Sequence, residues 1–80
     1  MNPDNIYFLN TPVEIQEECY YYVVEYLSQL NQLNENDIIY LSFTQIFNMN
    51  HKGFFKVYIS SQIESNEAFN RQPDFLIFIK

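Results

Sequence analysis

Two hydrophobic rhythms divide this chain and leave few ways to fold it. Residues 11–33 repeat their apolar side chains at helical spacing, whereas residues 38–63 alternate them two by two. In the first stretch Ile15, Cys19, Tyr22, Val23, Tyr26, Leu27, Leu30 and Leu33 fill a stripe of roughly 140° at ~100° per residue, the width of a helix lying on a core. Thr11-Pro12-Val13-Glu14 reads as its start. Thr11 would be the N-cap, its hydroxyl accepting from the Glu14 amide while the Glu14 carboxylate accepts from the Thr11 amide, and Pro12 would spend no donor at the first helical position. Asn34-Glu35-Asn36-Asp37 ends the pattern, so a helix is predicted over residues 12–33.

The second rhythm predicts strands over 38–47 and 54–63, joined by a turn at Asn48–Gly53 whose glycine suits a positive φ. Ile39, Leu41, Phe43 and Phe47 would share one face, and Phe55, Val57, Ile59 and Ile63 would meet them. Phe75–Ile79 is a short, wholly apolar strand, expected to be covered on both faces, and residues 5–10 are a further strand candidate. The expected architecture is α+β: one domain over 1–80, order β-α-β-β-β, an antiparallel sheet of three to five strands with one long N-terminal helix on one face. The opposite face would carry Tyr40, Ile46, Phe54, Tyr58 and either Leu76 or Phe78. It is open as an interface, or else folded over by the N-terminal strand and the 64–73 connection.

Charge constrains function more than it constrains fold. The 80 residues carry ten acids and four bases, net -6. From Met1 to His51 there is no lysine or arginine, against seven acids: Asp4, Glu14, Glu17, Glu18, Glu25, Glu35 and Asp37. The remainder holds Lys52, Lys56, Arg71 and Lys80 with Glu64, Glu67 and Asp74, a sum of +1. Such a chain has no basic surface for nucleic acid. One cysteine and one histidine supply neither a disulfide nor a structural zinc site. A single glycine rules out a glycine-rich phosphate loop. No apolar run approaches the ~20 residues of a membrane span, and the first ten residues have no basic stretch of the secretory kind. A soluble cytoplasmic protein without cofactor or metal is expected. Cys19 falls on the apolar helix stripe and His51 in a turn, so neither forms a nucleophile–base pair and catalysis is not expected.

What remains is recognition. Glu14, Glu18, Tyr21 and Glu25 follow i, i+4, i+7, i+11 on the polar side of the helix, Glu17 flanks them, and no base stands on the helix to pair with them. Glu64-Ser65 with Glu67 adds acids after the second hairpin strand. In size, charge, helix-on-sheet make-up and this Glu-Ser pair, the chain resembles the small acidic inhibitors of uracil-DNA glycosylase, which present carboxylates in place of DNA phosphates. In the bacteriophage type the pair precedes the sheet, whereas here it follows the hairpin. The resemblance implies that Glu64 and Ser65 contact the phosphate-binding loops of such an enzyme, with Glu67 as an auxiliary acid. The expected function is therefore a non-catalytic DNA mimic of phage or mobile-element type, binding a protein with a basic groove. Two alternatives stay open: an immunity protein or antitoxin for a basic toxin, and a homodimeric structural or regulatory domain joined through the second sheet face.

Overall fold

The computed structural model describes residues 2–62 and 69–80. A short 3-10 turn, Pro3–Asn5, leads into β1 (Ile6–Leu9), α1 (Val13–Ser28), β2 (Ile38–Gln45), β3 (Gly53–Ser60) and β4 (Phe75–Ile79). The four strands form one sheet in sequence order, β1-β2-β3-β4. The expected α+β architecture is present, with one α-helix among the described residues. One pairing differs from expectation: β1 runs parallel to β2, while β2–β3 and β3–β4 are antiparallel. The helix is the reason. It carries the chain back along the sheet, so β2 starts from the same end as β1. No helix of the described residues is long and apolar enough to cross a membrane.

Register puts the aliphatic core and Phe55 on one face, and Tyr40 and Tyr58 on the other. Ile6 and Phe8 lie beside Ile39 and Leu41, which face Ile59 and Val57 across the β2–β3 ladder, and Phe55 faces Phe43 on one side and Ile77 on the other. Against this layer α1 lays Cys19, Val23 and Leu27, and all three are buried. The helix is shorter than its apolar pattern, ending at Ser28 rather than at residue 33. There the Ser28 hydroxyl donates to the Val24 carbonyl, 2.7 Å, and the chain tightens into i→i+3 bonds from Gln29 and Leu30. Leu30 and Leu33 still pack on the core, but from the loop. Asn34 and Asp37 close that loop reciprocally, through the Asn34 amide on Asp37 Oδ2 and the Asp37 amide on the Asn34 carbonyl.

The expected capping box does not form. Asn10 takes a positive φ of 48°, and the Thr11 hydroxyl donates back to the Leu9 carbonyl, 2.9 Å. Pro12 becomes the N-cap, its carbonyl accepting from the Ile15 and Gln16 amides. At the hairpin, β2 ends at Gln45 and Phe47 is 93% exposed instead of lying on the core face. The Asn48 side chain causes the break by accepting from the Asn50 and His51 amides, both at 2.8 Å. Gly53 does not have the expected positive φ. It is needed for close approach, because a Cβ there would run into the Thr44 carbonyl oxygen and the Phe43 ring.

β4 is not covered on both faces as its composition implied: Ile77 and Ile79 are buried, while Leu76 and Phe78 are 37% and 45% exposed. On the second sheet face the centre is closed by the chain itself. Phe69 sits edge-on over Tyr40 and Tyr58, with ring centroids at 4.8 and 5.3 Å. The Arg71 guanidinium lies 5.3 Å from the Tyr58 ring.

Leu27→Ala and Phe55→Ala are each expected to cost ~2–5 kcal/mol, and Gly53→Ala ~1–3 kcal/mol through overpacking. Phe47→Ala should stay within about 0.5 kcal/mol of the wild type. Urea unfolding midpoints of the four variants check the ranking.

Candidate protein-docking surface

The outer face of α1 is built by the same periodicity that builds its buried stripe. At ~100° per residue, Glu14, Glu18, Tyr21 and Glu25 centre on the side opposite Cys19, Val23 and Leu27, with Glu17 on the flank. All five are exposed, Tyr21 to 82%. The structure thus brings together every helical residue singled out from the sequence. Glu64, Ser65 and Glu67 lie outside the described residues.

One of the acids is not isolated. Lys52, from the β2–β3 loop, donates to Glu18 Oε1 at 2.6 Å. Lys52 is 34 residues from Glu18 in sequence, so no helix-spacing rule could have found the pair. The hydrogen bond to Glu18, then its charge, push the Lys52 ammonium above its usual pKa. Glu14, Glu17 and Glu25 have no ion pair among the described residues. The surface is also more aromatic than the periodicity implied. Tyr22 and Tyr26, expected on the core stripe, lie at its margin, 52% and 37% exposed. Tyr26 reaches back over Phe75, with ring centroids 6.3 Å apart.

Other chemistry has little footing on this surface. Cys19 is 4% exposed. Burial first, then the neighbouring Glu18, raise its thiol pKa, with Lys52 opposing, so the nucleophilic thiolate is disfavoured. His51 packs its ring 5.1 Å from Phe78. Among the described residues no three His, Cys, Asp or Glu side chains are placed to hold a metal ion.

The second feature of note went unread in the sequence. At the hairpin end, Pro12, Ile15, Phe43, Ile46, Phe47 and Met49 line a largely apolar concavity of about 720 Å³, with Lys52 and Lys80 at its rim. Met49, like Phe47, is fully open to solvent. The sequence signal was three large apolar residues, Ile46, Phe47 and Met49, gathered at the turn. As for a dimer through the second sheet face, Tyr40 and Tyr58 are 6% and 4% exposed, so that face offers Tyr7, Leu76 and Phe78 instead. Comparison with family models, with curated proteins and with solved structures returns no match for this chain.

The raised pKa values give a pH dependence of defined sign. Cys19 and Lys52 both hold their protons more tightly folded than unfolded, so their contribution is complete below the unfolded values and is lost as pH rises through the folded ones. Melting temperature should therefore fall on going alkaline, from about pH 8.5 upward. Lys52→Gln should change that fall only slightly, because its pair with Glu18 is exposed, and the native Cys19 thiol should react with a disulfide reagent far more slowly than the unfolded one.

Proposed function

We propose that this chain is a non-catalytic binding protein that sets the outer face of α1 into the basic groove of a nucleic-acid-processing enzyme. Its carboxylates would stand where the phosphates of DNA would lie. The observation that carries the reading is the one-signed, exposed helix face. Glu14, Glu17, Glu18 and Glu25 surround Tyr21 on the side away from the core, and Lys52 is the one base paired with them among the described residues.

Energetic considerations favour a binding role over a merely solvated one. Like charges at i, i+4 cost a few tenths of a kcal/mol per pair, and Glu14–Glu18 is such a pair. No base occupies the last turn of α1 to complement its dipole. Folding gains from Glu14 in the first turn but not from the Glu14–Glu18 repulsion or from Glu25 near the other end, whereas association with a basic partner gains speed and orientation from all of them. Tyr21, and Tyr22 beside it, add the amphipathic, low-entropy contact area that dominates interface energetics. Uracil-DNA glycosylase is the enzyme that the likeness to the acidic inhibitors points to, and the Glu64-Ser65 pair would then add to the contact.

Two measurements test the reading. In a uracil-excision assay the wild-type protein should inhibit, and inhibition should weaken steeply between low and high salt. Glu14→Lys/Glu25→Lys should lose most of the inhibition while keeping the wild-type circular dichroism and melting curve. If glycosylase is untouched, capture of partners from a host lysate at two salt concentrations tests the broader proposal. Partners retained equally by the wild type and the charge-reversed variant would refute it.

A further inference from the structure

β4 is the feature that the acidic-face reading leaves unused. It stands at one end of the sheet and pairs, among the described residues, with β3 alone. Sheet edges are normally blunted by charge, proline or shortness. The opposite edge is blunted in this way: β1 has four residues, preceded by the Pro3–Asn5 turn and followed by the left-handed Asn10. β4 has five residues, Phe-Leu-Ile-Phe-Ile, with neither charge nor proline. Its Leu76 and Phe78 are among the exposed large apolar side chains. Such an edge is a template for another strand.

We infer that the strand it takes is β4 of a second copy, paired antiparallel on a two-fold axis through Ile77, so that two four-stranded sheets join into one of eight. The register follows from the residues. With Ile77 on the axis, Leu76 faces Phe78 and Phe75 faces Ile79 of the other copy, so all five strand residues are paired apolar to apolar. The flanking residues then meet as Asp74 opposite Lys80, once at each end. Shifting the axis to Leu76 or Phe78 removes both charge pairs and leaves strand residues unpaired. Asp74 Oδ2 accepts from the Ile59 amide at 2.7 Å and lies 3.7 Å from the Arg71 guanidinium, with its side chain 41% exposed, so Lys80 of the other copy would join a carboxylate that already has one basic neighbour. Lys80 is exposed and without an ion pair among the described residues.

Charge selects this edge for self-association. Two chains of net charge -6 repel each other wherever their acidic helices approach. Residues 52–80 sum to +1, and the contact is made by strand residues with no charge at all. Because Ile77 meets Ile77, the core faces of the two sheets stay on one side and the apolar layers run on across the junction. This inference is independent of the proposed function.

Sedimentation equilibrium over a concentration series tests self-association, and thiol cross-linking tests the register. The wild type should rise from monomer to twice the monomer mass. Phe78→Lys, at an exposed position, should stay monomeric with an unchanged circular dichroism spectrum. Lys80→Glu, which sets like charges opposite each other at both ends, should weaken self-association roughly tenfold. On oxidation, an equimolar mixture of Leu76→Cys and Phe78→Cys proteins should form the mixed disulfide faster than either protein forms its own. A wild type that stays monomeric throughout would overturn the inference, including the case in which this edge serves a strand of some other protein. So would a dimer indifferent to both Phe78→Lys and Lys80→Glu, or homodisulfides forming as readily as the mixed one.

Discussion

The structure depends on one helix having to serve four strands. At ~4.8 Å between neighbouring strands the sheet is about 15 Å from first axis to last, and a helix with its side chains is about 10 Å wide. One helix therefore seals the middle of one face and little more. The burial pattern has this shape: Ile39, Leu41, Phe55, Val57 and Ile77 are sealed against Val23 and Leu27, while Ile6 and Phe8 at one flank and Phe75 at the other are only partly buried. The remaining cover comes from loops, with Leu30 and Leu33 closing the helix side and Phe69 lying on Tyr40 and Tyr58 of the reverse side. Among the described residues there is no second α-helix, so the outer face of α1 carries no packing duty and β4 pairs with β3 alone.

That freedom is where the charge went. A helix face that packs against nothing can hold any polar sequence, and a stability-driven choice would alternate signs at i, i+4. Here the face is acidic, and no base stands in the last turn, where the helix dipole favours one. The one local compensation, Lys52 on Glu18, is a surface pair with side chains 58% and 52% exposed, a class worth little to stability. Its greater effect is geometric. Lys52 also donates its amide to the Ile79 carbonyl, so the pair ties the hairpin turn and the end of β4 to the helix and leaves the other acids free.

Much of the fold was legible in the sequence because it rests on periodicity. The helix, the hairpin and β4 appear where their apolar spacing put them, and the acidic face was readable from the same spacing, since the side opposite a buried stripe must face solvent. What failed to read depends on contacts between distant residues or on single side chains. Thr11 carries the grammar of a cap, yet Asn10 at positive φ redirects its hydroxyl to Leu9. Phe47 keeps the strand alternation, yet Asn48 has already begun the turn. Gly53 looked like a turn glycine and is a strand glycine facing the Phe43 ring. The Lys52–Glu18 pair was invisible because no local rule relates residues so far apart along the chain, whereas cover of the second face by the 64–73 connection was one of the two readings left open and is met by Phe69.

The two surfaces left open by this fold are compatible in one molecule. Antiparallel pairing within a sheet turns the second copy about an axis normal to the sheet, so the helices of both copies stay on the same side. Two acidic faces then point in one direction, separated by the width of the joined β4 strands and the half-covered flanks beside them. At physiological ionic strength charges are screened over ~8 Å, shorter than that separation, so the two faces would repel each other only weakly. A partner with two basic grooves, or one extended groove, would meet two such faces as a single ligand, and the second contact would form at an effective concentration set by the rigid sheet rather than by the bulk solution. The absence of charge from β4 and its concentration on α1 are, on this view, one division of labour: the edge must be neutral because the face above it is not.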